Sequence, residues 1–142
     1  MKSRLSVSLL ALSMTVAALG VACQGPRLPE PTHVVYPAKA EYGEDLDIVV
    51  QRDGRGHIRV HNRTPVPYEG MVLWINQDYV RPIERLEIGH EKNRFDLTSW
   101  RNQYGEKYPV GSLLRPEQSR KVVLAELFDP VTGKRHRIIV RD

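Results

Sequence analysis

From about Leu46 onward the chain never sustains a helical period, and short β-type runs are broken by turn residues at close intervals. A chain so punctuated has few options beyond short strands joined by tight turns. Asp47-Ile48-Val49-Val50 leads into Asp53-Gly54-Arg55-Gly56, whose glycines supply the positive φ angles that a hairpin loop needs. The return run, His57-Ile58-Arg59-Val60-His61-Asn62, alternates polar and apolar residues, the period of a strand with Ile58 and Val60 turned inward. Thr64-Pro65-Val66-Pro67 ends any ladder, because neither proline donates a backbone hydrogen bond. Met71-Val72-Leu73-Trp74-Ile75 is a continuous apolar run, the pattern of a central strand covered on both sides, and it assigns Trp74 to the core.

Asn76-Gln77-Asp78 turns the chain, Tyr79 to Ile88 reads as a strand with Pro82 at an edge or bulge, and Gly89 closes it. Phe95 and Leu97 alternate with polar neighbours as a short strand. Thr98 to Arg120 is the longest irregular segment, with one helical turn expected over Ser99-Trp100-Arg101-Asn102 and Gly105 as its left-handed stop. Val122 to Phe128 reads as a strand, Asp129-Pro130-Val131-Thr132-Gly133 as a turn, and Ile138-Ile139-Val140 as the return arm of a terminal hairpin. This spacing predicts an all-β domain, a small antiparallel β-sandwich of immunoglobulin-like type, with a small β-barrel as the competing architecture. An inter-sheet disulfide is ruled out by the single cysteine, so the domain depends on its core.

That cysteine, Cys23, follows a charged start (Lys2, Arg4), an apolar stretch from Leu5 to Leu19 and the small residues Gly20-Val21-Ala22. The order is that of a secretory signal. Leu19-Gly20-Val21-Ala22-Cys23 resembles the lipobox of the bacterial lipoprotein class, although Gly20 stands where leucine is usual. The resemblance implies a diacylglyceryl group on the Cys23 sulfur, cleavage between Ala22 and Cys23, and attachment to a membrane through acyl chains. Each buried CH₂ of such chains contributes about 0.8 kcal/mol. Ordinary secretory cleavage after Ala22 and an uncleaved anchor compete with this reading. Ser6, Ser8, Ser13 and Thr15 weigh against the anchor, and the odd thiol of an exported chain weighs towards lipidation. In diderm members of the class, Asp after the cysteine retains the protein in the inner membrane; Gln24 here is compatible with the outer membrane.

Pro26, Pro29, Pro31 and Pro37 mark the mature N-terminus as an extended tether, which at roughly 3.1 Å per residue reaches on the order of 40 to 60 Å. Residues 1–22 are thus expected as signal peptide, 23–45 as lipidated N-terminus and proline-rich tether, and 46–142 as the β-domain. Losing Lys2 and Arg4 with the signal leaves 19 basic against 17 acidic side chains, a formal +2. Both signs are interspersed, which is not the cationic stripe of a nucleic-acid binder. Lys134-Arg135-His136-Arg137 is the densest basic cluster and reads as a solvated hairpin end, with anionic headgroups or acidic polymers as the alternative.

Catalytic patterns are weak. Ser99, Ser112 and Ser119 lie in no Gly-x-Ser-x-Gly elbow, and Glu44-Asp45 and Glu87 with Glu91 are ordinary loop carboxylates. His57 and His61 share a strand face about 13 Å apart, too far for one ion, so no metal or cofactor is expected. Trp100, Tyr104 and Tyr108 recur at intervals of four beside Arg101, Asn102 and Gln103, the materials of a sugar- or protein-binding surface. The alternative is that these rings plug the end of the sandwich and anchor a long loop. The sequence therefore predicts a lipid-anchored, non-enzymatic envelope protein that binds or scaffolds another envelope protein or glycan. Trp100, Arg101, Tyr104 and Tyr108 are its candidate ligand-binding residues. A carbohydrate-binding module on that loop is the second reading and a hydrolase the third.

Overall fold

The computed structural model describes residues 34–141, apart from the side chain of Glu117. The signal peptide, Ala22, Cys23, Gln24 and the tether as far as His33 lie outside the described residues. Seven strands follow: β1 (Ile48–Arg52), β2 (His57–Asn62), β3 (Tyr68–Ile75), β4 (Tyr79–Leu86), β5 (Arg94–Asp96), β6 (Ala125–Asp129) and β7 (Lys134–Arg141). Two single 3₁₀ turns, Leu97–Ser99 and Pro116–Gln118, interrupt the long loop. The described residues are all-β, as expected of the domain, and the strands form one curled sheet in the order β4-β3-β6-β7-β1-β2-β5. All neighbours are antiparallel except β1 and β7, which run parallel through Val49–Ile139, Val50–Val140 and Gln51–Arg141. The purely antiparallel arrangement expected from the sequence is corrected there: a local pattern of alternation carries no information on which distant strand closes the sheet.

The turns obey their sequences. Gly54 takes φ +73° in the β1–β2 hairpin, where the Asp53 N–H donates to the His57 carbonyl at 2.9 Å. Asn76 and Gln77 both adopt positive φ between β3 and β4, the conformation that matches the twist of a tight hairpin. Pro82 sits on β4, an edge strand, where its missing N–H costs no ladder bond. Curling turns the inward residues of both halves onto one core. Ile48, Val50, Ile58 and Val60 from β1 and β2 meet Met71, Leu73, Ile75, Ile83, Ala125, Leu127 and Ile138 from β3, β4, β6 and β7.

Trp74 is buried but points the other way. It pairs with Glu126 on β6, so its ring lies on the outer surface of β3 and β6, and the Tyr36 ring covers it edge-on at 5.3 Å. Part of the segment read as tether is therefore built into the domain. The Arg135 N–H donates to the Glu41 carbonyl (2.8 Å), while the N–H groups of Gly43 and Leu46 donate to the carbonyls of Arg135 (2.7 Å) and Arg137 (3.0 Å). Residues 41–46 thus continue along β7 in the parallel sense of β1, and residues 36–40 fold over as a strap. A Cβ on Gly43 would come within 2.4 Å of the His136 ring, so glycine is what lets the strap lie this close.

Candidate functional site

The strap closes over a buried ion pair. Glu126 (1% exposed) accepts hydrogen bonds from the phenols of Tyr36 (2.5 Å) and Tyr42 (2.7 Å), with the Arg135 guanidinium 3.9 Å from its carboxylate. Arg135 (6% exposed) also donates to the Tyr36 hydroxyl, to the Ala40 carbonyl through Nε (3.1 Å) and Nη2 (2.9 Å), and to the Ala38 carbonyl (3.1 Å). Its plane packs over the Tyr42 ring at 4.2 Å, and Arg137 takes the same ring at 4.3 Å. Burial, reinforced by the Glu126 carboxylate, pushes the Tyr36 phenol well above the usual tyrosine range. Both charged groups have hydrogen-bond partners, and that is the condition for keeping two charges out of water, whereas the buried Trp74 indole N–H beside them has none. The expected solvated basic end is corrected accordingly: Arg135, His136 and Arg137 hold the strap, His136 Nδ1 lying 2.8 Å from the Glu44 carbonyl oxygen.

The aromatic loop divides in the same way. Trp100 (0% exposed) and Tyr108 (2%) belong to the core, Tyr108 stacking edge-on against Tyr79 at 4.8 Å and donating its hydroxyl to the Arg120 carbonyl at 2.8 Å. Burial raises the Tyr108 phenol above its ordinary range. Tyr104 alone of the three is exposed, at 74%. Arg101 spends its guanidinium on the Thr98 (2.7 Å) and Trp100 (2.9 Å) carbonyls, and its backbone bridges to Val80 on edge strand β4. Trp100, Arg101, Tyr104 and Tyr108 therefore do not gather into a binding platform; the four-residue interval fails because the segment is not a helix. The helical turn itself falls earlier, at Leu97–Ser99, where the Asp96 carboxylate accepts from the Thr98 N–H at 2.8 Å.

A different group of side chains lines an open hollow of about 240 Å³: Val49, Gln51, Arg59, His61, Arg63, His90 and Arg141. Register explains the grouping. Gln51 on β1 pairs with Arg59 on β2 and with Arg141 on β7, so two guanidiniums flank one amide on the same face. One step along, Val49 pairs with His61 and provides an apolar floor. His90 arrives from the loop after β4, where Gly89 (φ +84°) exchanges both backbone hydrogen bonds with Asn62 at 2.8 and 2.9 Å. The buried Asn93 amide fixes that loop by accepting from the Glu87 N–H (3.0 Å) and donating to the Glu87 (2.7 Å) and Gly89 (2.9 Å) carbonyls. The His61 and His90 rings consequently meet edge-on with centroids 4.9 Å apart.

Two carboxylates stand at the rim. Asp53 binds both Arg94 (2.7 Å) and Arg59 (3.0 Å), whose hydrogen bonds hold its carboxyl below the usual range, and Asp47 lies 3.9 Å from Arg63. The Arg141 guanidinium has neither a hydrogen bond nor an ion pair to another described side chain. The alternation of β2 marked Arg59 and His61 as outward, but their convergence with His90 and Arg141 depends on long-range pairing that the sequence alone does not show. Among the described residues no three His, Cys, Asp or Glu side chains form a metal-holding group, and no helix is long and apolar enough to cross a membrane. No protein-family profile, curated protein or solved structure matches the chain.

Proposed function

We propose that this chain is a lipid-anchored cell-envelope protein whose β-domain works as a non-enzymatic binding or scaffold module, with its curled sheet being a sandwich of immunoglobulin-like type. The strand order supports the fold reading: β1, β2 and β5 form one half, β4, β3, β6 and β7 the other, and both halves line one core. Leu19-Gly20-Val21-Ala22-Cys23 supports the anchor, and Gln24 suits an outer-membrane destination in a diderm cell.

The observation that carries the binding role is the division of the outer surface. The segment arriving from the N-terminus is fastened over β3, β6 and the first half of β7, whereas the surface of β1, β2 and the end of β7 is left open and bears the cationic hollow. A domain held this way presents the second surface to a partner. The carbohydrate reading retains a single exposed ring, Tyr104, and is the weaker for it. The test is fractionation of cells making the Cys23→Ser chain. Unprocessed, unlipidated precursor is the expected result; normal maturation with membrane attachment would remove the anchor from the account.

A further inference from the structure

We infer that the hollow between β1, β2 and the end of β7 is a phosphate-binding site, its ligand being a phosphate group carried by another component of the envelope. The inference rests on the binding-module reading and gives that module a ligand class.

Four features point to an oxyanion. Apart from the Val49 floor, the lining side chains are donors: three guanidiniums, two imidazoles and the Gln51 amide. Guanidinium forks match the oxygens of phosphate and carboxylate, and the planar fork is already organised for bidentate contact. Arg141 and Arg59 stand on either side of Gln51, one strand spacing away each, so forks from neighbouring strands can address one group between them. Finally, the rim carboxylates leave a surplus. Asp53 is shared between Arg59 and Arg94, Asp47 faces Arg63 from 3.9 Å, and Arg141 is compensated by neither. Binding an anion supplies a counter-charge that Arg141 receives from no carboxylate among the described residues.

Phosphate is favoured over carboxylate by the number of donors. A carboxylate offers two oxygens, whereas donors approaching from β1, β2, β7 and the His90 loop surround a group that has oxygens on several sides. The hollow is smaller than the pockets of roughly 300–1,000 Å³ that take drug-sized ligands, which suits a headgroup or a single repeat of a polymer. The position is set by the fold: Asn93 and the Gly89–Asn62 exchange place His90 against His61. Such a phosphate can come from a lipid headgroup or from a phosphate-bearing envelope polymer, and the chemistry at the hollow is the same for both.

The test titrates the full chain in detergent with inorganic pyrophosphate while following the His61 and His90 ring resonances, assigned through His61→Gln and His90→Gln. Saturable shifts at these rings are expected, weakened by added salt and by about tenfold in Arg141→Gln, a loss in proportion to one charge-assisted fork. Absence of a saturable shift, or an affinity in Arg141→Gln and Arg59→Gln unchanged from that of the parent chain, overturns the site. A thermal melt of each variant separates lost binding from lost fold. The Cys23→Ser chain is then offered phosphatidylglycerol vesicles, phosphatidylcholine vesicles and a soluble poly(glycerol phosphate). Retention on phosphatidylglycerol alone names a lipid headgroup, and retention on the polymer names the polymer. Retention on neither overturns the assignment to an envelope phosphate. Failure of the anchor is scored separately by the processing of the Cys23→Ser chain, so a chain that binds pyrophosphate but matures normally and stays attached in its Cys23→Ser form loses the anchor and keeps the site.

Discussion

Arg135 and Arg141 sit on the same strand and, by their spacing, on the same face of β7, yet the molecule treats them in opposite ways. Arg135 is enclosed by Glu126, two tyrosines and the carbonyls of Ala38 and Ala40; Arg141 opens into a hollow already rich in positive charge. The difference lies in what the chain places beside each. At the first half of β7 it supplies a carboxylate, aromatic faces and backbone acceptors, which together offset the loss of water from two charges. At the far end it supplies more donors, an arrangement that gains nothing for the fold and stays exposed to solvent. One outer surface is thus divided into a fastening and an open site.

Removing one member of the fastening should have the largest effect. Arg135→Ala strands Glu126 under the strap and is expected to cost about 3–5 kcal/mol, the cost of breaking a buried pair. Trp100→Ala should cost about as much, roughly 3–5 kcal/mol, through loss of core contacts rather than of a ligand surface. Denaturant unfolding measures both, and a loss below about 1 kcal/mol for Arg135→Ala would mean that the pair is not enclosed in solution. Tyr36→Phe removes the hydrogen bond donated to Glu126 and the one accepted from Arg135 and should cost about 1.5–3 kcal/mol, with a change in the emission of Trp74, which its ring covers.

The fastening also predicts behaviour in alkali. A phenol raised above its unfolded value contributes stability that is whole below about pH 10 and is lost as the pH climbs through the folded value. Tyr36 and Tyr108 should therefore titrate above the ordinary tyrosine range in an ultraviolet difference scan, and Tyr36→Phe should flatten the alkaline fall in stability. At the open site the expected effects on the fold are small. Arg141→Gln should leave the melting midpoint where it was. Asp53, held low by Arg94 and Arg59, contributes stability present above about pH 4 and lost as the pH falls below it, so Asp53→Asn should slightly blunt the acid limb of a melting profile. A large loss of stability in Arg141→Gln would break the comparison, because it would make that arginine structural as well.

Much of this fold was legible from local chemistry. The alternation of His57 to Asn62, the glycine at 54 and the turn at Asp129–Gly133 placed strands close to where they lie, because a two-residue period and a positive φ are properties of the segment itself; Gly56, expected to share the positive φ, does not adopt it. Strand pairing is not such a property. Nothing within Ile48–Arg52 indicates that it runs parallel to Lys134–Arg141, and the hollow follows from that pairing. The prolines before Tyr36 concealed the strap by suggesting a spacer, but Tyr36 and Tyr42 are the residues that dock it, and two tyrosines in a supposed spacer were the signal available. In the loop from Thr98 to Arg120, rings at regular intervals suggested one surface. Burial of Trp100 and Tyr108 came from closing one end of the core, a demand set by the rest of the molecule.

Amide hydrogen exchange across residues 36–46, compared with β6 and β7, tests the division of the outer surface most directly. If the strap is fastened, the N–H groups of Gly43 and Leu46, which donate to β7, should exchange nearly as slowly as the sheet they join. Exchange as fast as in an unfolded peptide would contradict the account: the segment would be a free tether, the surface of Trp74 and Glu126 would be open, and the hollow would no longer be distinguished as the exposed working face.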